Sequence, residues 1–200
     1  MSSKPSLAQI ERRFSTGKVE LRAGATGQLD TIRGYAAKFN ANSSDLGGFI
    51  EIIAPGAFDD VLTNDVRALF NHDANLILGR TKSGTCKIGI DEAGLWYEIT
   101  PPDTTTARDL LVSLKRGDVD QSSFAFSCGE DDWKYIEGTM IRTILKVSAL
   151  FDVSPVTYPA YPDTESCART LDAAKQRLHL DPTIIHAQRA RSLQLASAQL

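Results

Sequence analysis

Between Lys18 and about Pro162, apolar and polar positions alternate in short runs that stop at Gly, Asn or Asp, the pattern of half-buried β-strands. KVELRA and TIRGYAAKF open the series, and FIEII follows the polar loop NANSSDLGG. VRALF, CKIGI, GLWYEIT and SSFAFSC read as further strands, and EDDWKYIEGT as a polar hairpin. MIRTILKVSALFDVSPV reads as a long strand pair. Two segments break the two-residue period. APGAFDDVL predicts a short helix starting at Pro55, because proline suits a first helical turn. In TTTARDLLVSLKRG, Ala107, Leu110, Leu111 and Leu114 fall at i, i+3, i+4 and i+7 and give one apolar face. Asp103 or a threonine caps that helix, and Lys115, Arg116 and Gly117 end it.

Seven or eight short strands with two small helices predict a mainly β fold with helices (α+β). A closed or nearly closed β-barrel is expected, and an open sandwich fits the same pattern almost as well. Past Pro162 the spacing turns helical with few large apolar residues, so a loosely helical tail is expected over 163–200. Residues 1–17 are expected to form a flexible arm, leaving one folded domain over 18–162.

Composition narrows the function classes. The chain has 200 residues, 42% hydrophobic and 24% charged, enough for a real core. Net charge is −3, but unevenly spread: residues 1–30 carry five basic and three acidic side chains, 31–162 carry 12 and 18, and 163–200 carry five and four. An acidic centre whose aromatics are not interleaved with basic residues argues against nucleic-acid binding. No stretch is long and apolar enough to span a bilayer, and no secretory signal is read at the start. Cys86, Cys128 and Cys167 form neither an even framework nor a CxxC pair, which predicts reduced thiols in a cytoplasmic compartment.

Histidine is the first chemical filter, because the chain has three. His179 and His186 lie in the loose tail, leaving His72 in LFNHDANLILGRT. One core histidine excludes a multi-histidine metal site and predicts no cofactor. His72 is either a strand-end decoration bonded to Asp73 or a general base. Ser122 and Ser123 start a run of small and aromatic residues, as a nucleophile needing room would, and also as many ordinary strands do. Only one of the pair can face a site, because side chains alternate along a strand. No GxSxG elbow is present. Cys128 is the rival nucleophile, but the acidic run after it would raise a thiol pKa. Asp152, an acid in an apolar strand, needs either water or a partner. Asp73 is the weaker third member, since strand neighbours point to opposite faces.

Six segments in order then carry a resemblance: GYAAKFN, GGFIEIIAPGAF, FNHDANLILGRTKSGT, GLWYEITPPDT, DLLVSLKRGDVDQSSFAF and DVSPVTYPAYPDT. Over residues 31–162 the sequence resembles the prohead serine proteases of tailed bacteriophages, which are distantly related to the herpesvirus assembly proteases. The resemblance implies a herpesvirus-protease-like barrel and a catalytic triad of His72, Ser123 and Asp152. The family usually has SFGF where this chain has SFAF, and often glutamate in place of Asp152.

By the same resemblance, His72 takes the proton from Ser123 and Asp152 orients the ring. Backbone N–H groups stabilise the oxyanion, with Arg80 or Arg142 as candidate helpers. The expected substrates are the scaffold, the N-terminal region of the major capsid protein and the protease itself, inside the prohead in the host bacterial cytoplasm. A homo-oligomer would fit this class. The tail is expected to dock on scaffold or coat protein and to be removed by self-cleavage. The alternative is a non-catalytic, scaffold-like capsid assembly protein of the same fold.

Overall fold

The computed structural model describes residues 10–15, 17–24, 27, 29–158 and 164–178. Its organising element is one long hairpin. Strand β9 (Gln121–Ile136) turns at Glu137–Gly138 and returns as β10 (Thr139–Val156). The polar segment read as a hairpin does contain the turn, with the end of β9 before it, and the supposed strand pair after it is the single strand β10. Four register shifts let strands of 16 and 18 residues stay paired while they bend.

Around this hairpin a six-stranded sheet assembles. Strand β1 (Glu11–Ser15) covers the free edge of β9. On the other side, β4 (Phe49–Ile53) and β5 (Arg67–Phe70) each run parallel to a different stretch of β10. Strand β6 (Asp73–Arg80) pairs with β5 and closes the row. A four-stranded sheet has the order β2 (Glu20–Arg22), β3 (Thr31–Lys38), β8 (Gly94–Ile99) and β7 (Cys86–Ile90).

Among the described residues the strand ladders form two open sheets rather than the closed barrel expected from the sequence. Between Ser15 and Glu20 the chain passes from the larger sheet to the smaller, and the backbone links between the sheets seen among the described residues are isolated ones, such as Val19 N–H to the Asp120 carbonyl and Asn40 N–H to the Ile53 carbonyl, each at 3.0 Å. Side chains supply most of the contact between them. Ile32, Leu95, Tyr97 and Ile99 from the smaller sheet share one core with Phe124, Phe126 and Val153 from the larger. Phe58 packs edge-on to Phe124, with ring centroids 5.7 Å apart. Burial of each such large side chain contributes roughly 1.5–3 kcal/mol.

Helix α1 (Thr105–Arg116) forms as its spacing predicts. The Thr104 hydroxyl accepts from the Ala107 N–H, Gly117 adopts the left-handed C-terminal conformation, and Ala107, Leu110 and Leu111 are buried. The segment after Pro55 makes only turns and a 3-10 turn at Asp59–Val61, not a full helix.

Two described segments near the ends are packed where the sequence suggested looser chain. Glu11–Ser15 is a strand whose Glu11, Arg13 and Ser15 are buried, not a loose arm. Helix α2 (Thr164–Arg177) is docked, burying Cys167, Leu171 and Ala174 against Leu46, Phe49, Trp133 and Met140. Three small or medium side chains at i, i+4 and i+7 suffice for this contact, which is why a search for large apolar residues undervalued it. The second tail stretch, with His179 and His186, lies outside the described residues.

Besides its ladder with β9, buried charge ties β1 down. The Arg142 guanidinium donates to Asp131 Oδ2 at 2.9 Å, to Glu11 at 2.7 and 3.1 Å, and to Glu51 Oε2 at 2.9 Å. Arg13 donates to Glu51 at 2.8 and 3.0 Å and to Glu11 at 2.6 Å. Burial works against the charge on Glu11 and on Asp131, but hydrogen bonds and attraction from Arg142 outweigh it, and both carboxyls titrate below their usual range. With folded pKa values below the unfolded ones, this stabilisation is complete above about pH 4.5 and is lost as pH falls further. Acid unfolding followed by circular dichroism should show the loss beginning there. Arg142→Ala leaves three carboxylates short of their cation and should cost about 3–5 kcal/mol in urea unfolding at pH 7.

Candidate active site

Three neighbouring strands of the larger sheet bring one group each to a common point. Ser123 sits near the start of β9, directly opposite Ser154 on β10. Asp152 precedes Ser154 by two residues and so lies on the same face of β10. His72 arrives from the side, on the two-residue loop that joins β5 to β6.

That loop needs unusual backbone angles. Asn71 and His72 have φ of 54° and 57°, the paired left-handed values of a type I′ turn, whose twist matches the flanking strands. Asparagine tolerates this conformation well and histidine less so. Asn71 supplies the restraint. Its N–H donates to the Pro155 carbonyl at 3.1 Å, its side-chain oxygen accepts from Thr157 N–H at 2.9 Å, and its Nδ2 donates to Thr157 Oγ1 at 3.3 Å. The turn is thereby fastened to the end of β10, with the imidazole above Asp152 and Ser123.

The resulting contacts form a continuous chain. His72 Nδ1 lies 2.6 Å from Asp152 Oδ1, and His72 Nε2 lies 2.6 Å from Ser123 Oγ. A carboxylate only accepts, so Nδ1 carries the proton toward Asp152 and Nε2 is left free to accept from the serine. The Ser154 hydroxyl donates to the same Asp152 oxygen at 2.9 Å and stands 3.4 Å from His72 Nδ1. Ser123 Oγ also has a second acceptor within reach, the Arg13 carbonyl of β1 at 3.0 Å. Ser123 and Ser154 are wholly buried, and the side chains of His72 and Asp152 are only 7% and 11% exposed.

Other candidates separate cleanly. Ser122 points into the core between the sheets, bonded to the Tyr97 hydroxyl at 2.7 Å, because alternation turns it away from Ser123. Gly34 makes room for that pair; a Cβ there would stand 2.6 Å from the Tyr97 hydroxyl. Asp73 accepts from the backbone and side chain of Asn75 in a local turn. Arg80 grips Asp65 through two hydrogen bonds of 2.7 and 2.5 Å. Arg142 is 2% exposed, ten residues along β10 from Asp152, and its guanidinium is committed to carboxylates. Neither arginine joins the His72 cluster.

Residues 17–177 match the family of caudovirus prohead serine proteases. The chain belongs to that family. Over 160 residues it is 31% identical to the prohead protease of Enterobacteria phage HK97, an alignment covering 77% of this chain and 66% of that one. The chain thus spans slightly under two-thirds of that relative's length. No solved structure matches. The family match runs from just after β1 through α2, so the docked helix lies within the matched region.

Sequence reasoning missed three groups in the His72 cluster: Ser154, the Arg13 carbonyl and Asn71. For Ser154 a signal existed, because DVS places a hydroxyl at i+2 from Asp152, on the same strand face. The Arg13 carbonyl belongs to a strand whose pairing only the fold reveals.

The thiols are poor rivals. Burial pushes Cys128 up to about 11 and Cys86 up to about 12. Cys128 is thus held as the thiol near neutral pH, so iodoacetamide should modify it in the native protein at least tenfold more slowly than a free thiol of pKa about 8.5. Peptide mapping against time would measure this.

Proposed function

We propose that the chain is a serine endopeptidase of prohead maturation, with Ser123 as nucleophile, His72 as general base and acid, and Asp152 as the orienting carboxylate. The observation that carries this reading is the unbroken Asp152–His72–Ser123 chain, with both links at 2.6 Å, in a member of a serine protease family. Asp152 holds the Nδ1–H tautomer, so Nε2 can take the Ser123 proton as Oγ attacks a peptide carbonyl. The tetrahedral intermediate collapses when the same proton passes to the leaving amine. Water then enters, His72 deprotonates it, and hydrolysis of the acyl-enzyme restores the serine.

Ser154 is a positioning residue. Its hydrogen bond fixes the Asp152 oxygen that faces the imidazole. The oxyanion falls to backbone N–H groups, because Arg80 and Arg142 already serve Asp65 and the buried carboxylates.

The description of the family and the name of the HK97 relative support a role at the prohead. The substrates we assign are the capsid protein's N-terminal region, the scaffold and the protease itself, within the assembling shell in the host cytoplasm.

Intact-mass analysis of the protein incubated with its capsid precursor tests the assignment. Wild type should yield new fragments and Ser123→Ala none; identical fragments from both would remove Ser123 from the chemistry. Fragments from neither would favour a non-catalytic assembly protein of this fold. Asp152→Asn should lower kcat by about 10⁴-fold, since the imidazole loses its tautomer and orientation. Ser154→Ala removes one hydrogen bond to a charged group and should lower kcat about tenfold.

A further inference from the structure

The serine assigned as nucleophile has no exposed surface. What covers it is a length of extended chain. Strand β1 lies antiparallel to β9 with Phe14 opposite Ser123 and Arg13 opposite Phe124, and the Arg13 carbonyl oxygen is 3.0 Å from Ser123 Oγ. An extended peptide paired to the strand that bears the nucleophile, with a carbonyl against the hydroxyl, is the arrangement of a substrate bound by strand addition.

Side-chain alternation places the Arg13 side chain on the face opposite Phe14 and Ser123. There its guanidinium meets Glu51, a buried residue of β4, through paired bonds of 2.8 and 3.0 Å. A cavity of about 60 Å³ borders the strand, lined by Arg13, Phe14, Ser15, Glu51 and Phe124 together with the segment between β3 and β4. Glu11, also on β1, accepts two bonds from Arg142, so two of the strand's three buried side chains are held by charge.

The contact is unproductive. Ser123 has one hydroxyl proton and two acceptors, His72 Nε2 and the Arg13 carbonyl. A proton given to the carbonyl is unavailable to the imidazole. The family match also starts at residue 17, beyond this strand.

We propose that the edge of β9 from Ser122 to Phe126 is the substrate groove, that β1 is its built-in occupant, and that Glu51 selects an arginine or lysine where Arg13 now sits. The proposal rests on the peptidase reading above. Without β1, Glu51 keeps its bond to Arg142 Nη1 through Oε2, but Oε1 loses its Arg13 partner. An uncharged side chain would leave that buried oxygen unpaired, which is the penalty that makes such a site selective.

A fluorophosphonate probe reads both halves of this idea. Ser123 Oγ bonds to phosphorus as fluoride departs, and the hydroxyl proton passes to His72. In the full-length chain, Arg13→Asp places a carboxylate beside Glu51 and Glu11 and should expel β1, raising the labelling rate of Ser123 at least tenfold over wild type. Phe14→Pro breaks the strand without touching the ion pairs and should do the same, which guards against a folding defect peculiar to the charge change. A peptide copying residues 9–18 should then protect Ser123 in both variants, and the same peptide carrying Arg13→Leu should not. Equal labelling of wild type and both variants would overturn occupancy while leaving the peptidase reading intact. Equal protection by the two peptides would overturn selection by Glu51. No labelling of Ser123 in any form would overturn the peptidase reading and this inference with it.

Discussion

Everything at the site depends on the register of one hairpin. Strands β9 and β10 carry the serine and the carboxylate on separate arms, and their pairing sets Ser154 opposite Ser123 and Asp152 opposite Ala125. A slip of one residue would turn Ser123 toward Tyr97 and Ser122 toward His72, since side chains alternate strictly. The inward-facing residues resist that slip. Phe124 and Phe126 are stacked at 5.0 Å within the core, and Val153 is fully buried beside them. Hydrophobic burial on one face of the hairpin thus holds polar geometry on the other.

The histidine is held by a different means. It belongs to no ladder with β9 or β10, and reaches them through a turn in which two successive non-glycine residues have positive φ. Such backbone strain costs on the order of 1–3 kcal/mol per residue and persists where neighbouring structure enforces it. Here the enforcement is visible in the three bonds from Asn71 to Pro155 and Thr157, and in the parallel pairing of β5 with Asp152 and Val153. Ring and carboxylate are thereby fixed relative to one another from both ends of β10's last turn of sheet.

Buried charge links the two ends of the hairpin. Arg142 stands far along β10 from Asp152, yet it shares Glu11 and Glu51 with Arg13, whose own carbonyl touches the serine. Burial opposes the charge on both arginines, and the surrounding carboxylates nevertheless hold them protonated above their usual range. A network of this kind confers position more than stability, because desolvation offsets much of the attraction. Its effect in this fold is to hold the first strand in register across Ser123.

The sequence by itself determined the elements that local rules govern. The spacing of Ala107, Leu110, Leu111 and Leu114 with Thr104 and Gly117 specified helix α1, and period-two runs specified most strands. Ordered motifs specified the family, and with it the candidates His72, Ser123 and Asp152. What only the tertiary structure decided was everything set by long-range pairing: which serine faces the imidazole, the placement of Glu11–Ser15 on β9, the docking of α2, and two open sheets in place of a barrel. Arg142 shows the reason. A lone arginine in a strand reads the same whether it meets water, an oxyanion or three carboxylates from other elements, because its partners are 11 to 131 residues away in sequence and adjacent only after folding.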